Sequence, residues 1–131
     1  MAAPLSVLVV EDDFLIRACL TEFLEDSDIH VLEAESCAEA WRHLDQSGPI
    51  HAVVTDISLP DGNGKNLSMD LRARWPEMPV IFTSGHGASV YEKTEIAPPH
   101  ERIVPKPYPL SAVLDAIHEL TGTHQDRVPA Q

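Results

Sequence analysis

Positive charge is scarce in this chain. Nine Lys and Arg stand against 21 Asp and Glu among 131 residues, for a formal net charge of −12. Neutralising phosphates takes clustered Lys and Arg, so the balance argues against direct binding to nucleic acid or to an anionic membrane. It is compatible with a basic protein partner or a bound cation, and much of it reads as a solvated acidic surface. Cysteine is nearly absent. Cys19 and Cys37 give neither a disulfide framework nor metal-ligand spacing. Each falls on an apolar helical face, which predicts two reduced core residues. No long apolar run occurs, and the start Met1-Ala-Ala-Pro-Leu5 lacks a charged leader. No signal peptide or membrane span is expected, which makes the cytoplasm the default location. Internal repeats and low-complexity segments are missing too.

What is present suits one folded domain. The length fits a single core, and 44% hydrophobic residues exceed what a disordered chain carries. The chain is organised around His51-Ala-Val-Val-Thr-Asp-Ile-Ser-Leu-Pro-Asp-Gly62. A short apolar run bounded by turn signals suits a strand buried on both faces. Such a strand delivers Asp56 to its carboxyl end, where open α/β sheets hold ligands. Read alone, Asp56 is better explained as a strand-ending turn or cap residue.

The same alternation runs through the chain. Residues 5–10 form an apolar run ending in Glu11-Asp12-Asp13, and three adjacent acids at a buried strand end call for water or a cation. Ile16, Leu20, Phe23 and Leu24 mark the first helix. Residues 29–34 form a short strand whose His30 and Glu33 suggest a sheet edge. Ser36-Cys-Ala-Glu39 is a capping box. It opens a helix through Ala40, Trp41 and Leu44 to Gln46, and Gly48-Pro49 follows. After the central strand, residues 59–64 are dense in turn residues. Leu67, Leu71 and Trp75 then share a helical face that Pro76 terminates. Residues 79–83 form the fourth strand, leading into Ser84-Gly-His-Gly87. Residues 88–96 make a poor helix, short and followed by Pro98-Pro99. A short strand at 102–104 precedes Pro105-Lys106-Pro107. Leu110, Val113, Leu114, Ile117 and Leu120 define the last helix, stopped by Gly122. The tail from 122 to 131 is polar and expected to be disordered.

Five βα repeats predict an α/β fold: a five-stranded parallel sheet with helices on both faces. The flavodoxin-like order 2-1-3-4-5 is the common one at this size. It makes strands 1 and 3 neighbours, so Glu11, Asp12 and Asp56 converge. Three carboxylates suit a hard cation such as Mg2+, with a backbone carbonyl, for instance that of Ser58, as a further ligand. The ends of strands 4 and 5 bring Ser84 and Lys106 to the same crevice. A hydroxyl and an ammonium beside a metal-bound carboxylate make a phosphoryl site, in which the carboxylate attacks phosphorus. Singly, each residue has an ordinary reading: an acid satisfied by helix N-termini, a loop cap, a solvated lysine.

Taken in order, these motifs resemble the receiver domain of two-component response regulators. The resemblance covers roughly residues 5–121. It rests on Leu8-Val-Val-Glu-Asp12, Val54-Thr-Asp56, Leu59-Pro60 with Gly64, Thr83-Ser-Gly85 and Lys106-Pro107. The strand order is also a property of that family, so it adds no independent support. The resemblance implies that Asp56 is the phosphoacceptor and Asp12 a direct metal ligand, with Glu11 acting mostly through water. Ser84 would be the switch hydroxyl and Lys106 the phosphate-sensing lysine, whose bond to Pro107 is typically cis in the family. Asp13 has no fixed family role and reads as a helix N-terminal acid. Ile103 stands where many receivers carry Tyr or Phe, and the 88–96 segment is a weak fourth helix. His86 flanks the crevice; the donor histidine in the family belongs to a partner.

The resulting expectation is a stand-alone receiver at residues 5–121. It would accept a phosphoryl group on Asp56, with Mg2+ or Mn2+, from a histidine kinase or a histidine phosphotransfer protein. It would lose the group slowly to water, without being an enzyme in its own right. No output domain fits in this length, so the signal would leave by protein contact or onward transfer. A shuttle, a phosphate sink and an allosteric regulator of a downstream effector all fit. The competing class is a non-phosphorylated interaction module on the same fold. A haloacid-dehalogenase-like hydrolase is disfavoured, because Ser58 stands where that chemistry places a second acid. A flavin site is disfavoured because acids replace a Ser/Thr-rich phosphate loop after the first strand.

Overall fold

Short apolar runs without a polar face become strands only if both sides are covered, and the chain meets that demand with helices packed on both faces of the sheet. The computed structural model describes residues 5–46, 48–84, 100–106 and 108–122. In order these form β1 (Ser6–Val10), α1 (Phe14–Asp26), β2 (His30–Ala34), α2 (Cys37–Gln46), β3 (Ala52–Asp56), β4 (Ser58–Leu59), β5 (Gly62–Asn63), α3 (Gly64–Arg74), β6 (Val80–Ser84), β7 (Glu101–Pro105) and α4 (Leu110–Thr121). The main sheet is parallel, in the order β2-β1-β3-β6-β7. Counting only its own strands, that is the expected flavodoxin-like order. The segment 59–64, expected as a turn-rich loop, closes into a small antiparallel ladder of β4 and β5.

Alternation along each strand sorts the core into two layers. Val7, Val9, Val54 and Ile81 face α1 and α4, joining Leu20, Leu24, Val113 and Ile117. Leu8, Val10, Val53 and Phe82 face α2 and α3, joining Ala40, Leu44, Leu67 and Leu71. β2 is an edge strand with His30 and Glu33 exposed, as its polar content predicts. Among the described residues no helix is long and apolar enough to cross a membrane.

Local signals act largely as the sequence predicts. The Asp13 side chain caps α1 by accepting from Ile16 N–H at 3.0 Å. Ser36 Oγ accepts from Glu39 N–H at 3.2 Å. The return half of that box differs by one residue, because the Glu39 carboxylate takes Glu35 N–H at 2.9 Å. Gly122 closes α4 at φ 71°, a left-handed cap that glycine adopts without strain. The cysteines are a correction. Cys19 is exposed and Cys37 only partly buried, though both are free thiols. α1 buries Leu20, Thr21 and Leu24, which turns Cys19 to the far side. Cys37 lies in the first turn of α2, whose core residues are Ala40 and Leu44. The expectations for 88–96, Pro98-Pro99 and the tail beyond Gly122 fall outside the described residues.

Glu101 was not foreseen. It starts β7 at 5% exposure. Its carboxylate holds Lys65 Nζ at 3.2 Å and Arg72 at 2.8 Å, tying β7 to α3. Removing one partner of a buried ion pair strands the other charges. Glu101→Ala is therefore expected to destabilise the fold by about 2–4 kcal/mol in urea denaturation. Asp45→Ala, which breaks an exposed pair with Arg74, should cost less than about 1 kcal/mol.

Candidate functional site

The carboxyl ends of β1 and β3 lie side by side, with Val10 opposite Thr55. The residues just beyond them therefore share a crevice. Glu11 is held by its backbone: its N–H donates to the Ala34 carbonyl at 2.9 Å, and Arg17 donates to its carbonyl at 2.7 Å. The same guanidinium reaches Glu33 on the edge strand at 3.0 Å. Glu11 is buried at 3% exposure and Asp56 at 7%, whereas Asp12 is exposed. One carboxylate oxygen from each of the three lies within 4.8 Å of the others.

Lys106, just past β7, closes the group. Its Nζ donates to Glu11 Oε1 and to Asp56 Oδ2, each at 2.9 Å. The remaining oxygens are used too: Glu11 Oε2 accepts from Asp13 N–H at 3.1 Å and Asp56 Oδ1 from Ser58 N–H at 3.2 Å. Burial pushes the Glu11 carboxyl above the usual range, and the Asp56 charge adds to that. Hydrogen bonds from Lys106 and Asp13 N–H pull it back only in part. For Lys106 burial pulls downward, but the hydrogen bonds and charges of Glu11 and Asp56 win, so its pKa rises and it stays an ammonium.

The α3 side of the crevice is tight. Thr55 Oγ1 donates to the Asp56 carbonyl at 3.0 Å, and Gly64 N–H donates to the Ile57 carbonyl at 2.8 Å. A Cβ at Gly64 would lie 2.3 Å from the Asp56 carbonyl oxygen. Only glycine allows so close an approach without moving backbone.

The structure thus brings Glu11, Asp12, Asp56 and Lys106 together. Ser58 is adjacent, but the contact seen there is through its N–H, where the sequence pointed to its carbonyl. Ser84 ends β6 opposite Pro105, which places its backbone at the same end of the sheet. Its side chain, His86 and Pro107 lie outside the described residues. Arg17 and Glu101 went unread in the sequence. For Arg17 the sequence offered only its position four beyond Asp13. Chemically, clustered carboxylate oxygens fit a hard divalent cation such as Mg2+ or Mn2+, while a softer metal would prefer thiolate or imidazole ligands. Glu11, Asp12 and Asp56 are the residues that could hold such an ion.

Comparison with known proteins agrees with this architecture. The family described as response regulator receiver domain matches residues 7–118. The response regulator Rre1 of Synechocystis is 38% identical over 90 residues, covering 66% of this chain and 38% of that protein. The chemotaxis protein CheY1 of Helicobacter pylori is 28% identical over 123 residues, covering 92% of this chain and 99% of that one. The relatives differ in length, since the chain spans only 12% of the sensor kinase CckA of Brucella abortus. Among solved structures, a response regulator receiver protein from Sinorhizobium medicae superposes with a TM-score of 0.81 at 25% identity, covering 91% of this chain and 95% of that one.

The Lys106 bridge generates a titration test. In Lys106→Met the lowering contributions of the ammonium vanish while burial and the Asp56 charge remain, so the Glu11 carboxyl should titrate higher still in metal-free buffer. A group whose folded pKa lies above its unfolded value favours the fold below the unfolded pKa and loses that contribution as pH rises through the folded one. The stability deficit of Lys106→Met relative to wild type should therefore widen from acid to neutral pH. Carboxyl-resolved NMR titration and urea melts across pH check both parts, and a deficit independent of pH would contradict the assignment.

Proposed function

The chain belongs to the response regulator receiver domain family, and from that premise we propose that it takes a phosphoryl group from a partner phosphohistidine onto Asp56, with Mg2+ or Mn2+. The observation that carries this reading is the Asp56 carboxylate itself. It ends the central strand β3, is buried at 7%, and has an ammonium at 2.9 Å and two further carboxylates at the same mouth.

In the proposed step an Asp56 oxygen forms the new O–P bond as the N–P bond of the donor breaks, and the imidazole leaves with the donor protein. A bound divalent cation would supply charge that offsets the phosphoryl oxygens. This chain's own residues do the rest. Lys106 offers a second positive charge next to the receiving oxygen, Ser58 N–H orients the carboxylate, and Gly64 holds its backbone. Ser84 is assigned the hydroxyl that donates to a phosphoryl oxygen, on its strand position. The accepting group is part of the chain, so the reaction consumes it until water removes the phosphoryl group slowly; the protein is a signalling acceptor and not an enzyme with turnover. Its partners are a histidine kinase or a histidine phosphotransfer protein and a downstream effector reached by contact. The cytoplasm is the proposed location, supported by what is general in the family.

Incubation with acetyl phosphate, followed by intact-mass measurement, tests the chemistry. One phosphoryl adduct that needs both Mg2+ and Asp56, and is missing in Asp56→Asn, is the expected result. A folded protein that stays unmodified at saturating Mg2+ would make the non-phosphorylated interaction module the better reading.

A further inference from the structure

The Asp61 carboxylate stands at the turn between β4 and β5 and accepts two backbone N–H groups from another element. Cys37 N–H donates to it at 2.8 Å and Ala38 N–H at 3.1 Å. These belong to the first two residues of α2, whose N–H groups have no partner within the helix. The Cys37 and Ala38 hydrogen bonds hold the Asp61 carboxyl below its usual range, so it is an anion at neutral pH.

α2 does not depend on this contact for a cap. Ser36 already accepts Glu39 N–H, and Glu39 reaches back to Glu35 N–H. The hairpin has the greater need. Its ladder consists of Ser58 opposite Asn63 and Leu59 opposite Gly62, too little to be stable by itself. Both of its ends lead into the acidic crevice: Ser58 N–H binds Asp56 Oδ1, and Gly64, after β5, abuts the Asp56 carbonyl. Next to the turn, the Gly62 backbone packs on Cys37, where an added Cβ would meet Sγ at 3.4 Å. The turn is anchored to a helix, and the base orients the accepting carboxylate.

We infer that Asp61 is a positioning residue. By clamping the β4–β5 turn to the N-terminus of α2, it holds Ser58, and through it Asp56, in place for a divalent cation and a phosphoryl group. The inference rests on the function proposed above and assigns a role to a residue that touches none of the reacting atoms. Outer partners of ligand-bearing groups commonly set affinity in this way.

Three variants of the full chain separate a clamp from a simple helix cap: Asp61→Ala, Asp61→Asn and Ser36→Ala. Two quantities are read against Mg2+ concentration, namely the rise in Tm and the rate of labelling by acetyl phosphate. Asp61→Ala should raise the Mg2+ concentration for half-effect about tenfold in both. Asp61→Asn should lose less, because its amide oxygen can still accept one N–H. Ser36→Ala weakens the same helix end without releasing the hairpin; it should lower Tm and leave the Mg2+ requirement within about twofold, well below the tenfold effect. The inference is overturned if Asp61→Ala lowers Tm with an unchanged Mg2+ requirement, or if Ser36→Ala shifts that requirement equally. A wild type with no response to Mg2+ at all removes the parent reading and this one with it, whereas a wild-type response untouched by Asp61→Ala removes this one alone.

Discussion

A single ammonium holds the functional end of this molecule together. Glu11 and Asp56 are both buried, and burial together with the Asp56 charge raises the Glu11 carboxyl. Lys106 spans them at 2.9 Å to each. It reaches them from the far end of the sheet, because β6 separates β7 from β3. The strand order is therefore more than a scaffold for this contact. Only a parallel sheet with β1 and β3 as neighbours, and β7 two places from β3, sets those three side chains around one point. Among the described residues, three carboxylates against one ammonium leave two negative charges uncompensated when all are ionised. That deficit is what a divalent cation would neutralise, so the charge count and the chemistry of the ligand atoms lead to the same class of ion.

β7 is an edge strand pinned at both ends by opposite charges. Its first residue, Glu101, is an anion between Lys65 and Arg72 of α3. Lys106, just past its last residue, is a cation between Glu11 and Asp56. An edge strand has neighbours on one side only and relies on other devices for its position. Here the lower anchor belongs to the same helix whose first residue, Gly64, abuts the Asp56 carbonyl. In the proposed reaction, a shift of Lys106 toward a phosphoryl oxygen would act on a strand already fixed at its other end to the helix that supports Asp56.

Much of this was legible because the strands are short apolar runs closed by acids, which leaves few alternatives in a βα repeat. Glu11, Asp12, Asp56 and Lys106 each follow directly from a strand end. The failures have specific causes. On α1 the residues Ile16, Cys19 and Phe23 make as regular a stripe as Leu20 and Leu24, and the buried Thr21 decides between them in a way no hydrophobic pattern can show. Glu101 was hidden because an acid before a short apolar run reads as a turn residue, and its two partners lie 29 and 36 positions away. The β4–β5 ladder was hidden because Pro60, Asp61, Gly62 and Asn63 are all turn formers, and pairing across so short a hairpin depends on what anchors it. Ile103, in place of an aromatic residue, packs partly buried against the α2–α3 layer. At that position side-chain character alone does not reveal what a partner would read.

The crevice is built asymmetrically, and the asymmetry follows from where backbone is allowed to be tight. On the α3 side, Gly64 lets the chain press onto the Asp56 carbonyl, and Thr55 Oγ1 and Ser58 N–H fix the acceptor from two further directions. On the β1 side, Asp12 is exposed while Glu11 beneath it is fully engaged. The proposed transfer between proteins would need both properties. The accepting oxygen must not wander, since misplacement by an ångström costs heavily in a displacement reaction. The charge that balances the incoming group must be able to arrive and leave. Tight glycine-mediated packing under Asp56 meets the first need, and an open carboxylate at Asp12 meets the second. The two cannot be exchanged, because a side chain at residue 64 would displace Asp56, and burying Asp12 would put a third carboxylate in low dielectric with, among the described residues, one lysine to answer it.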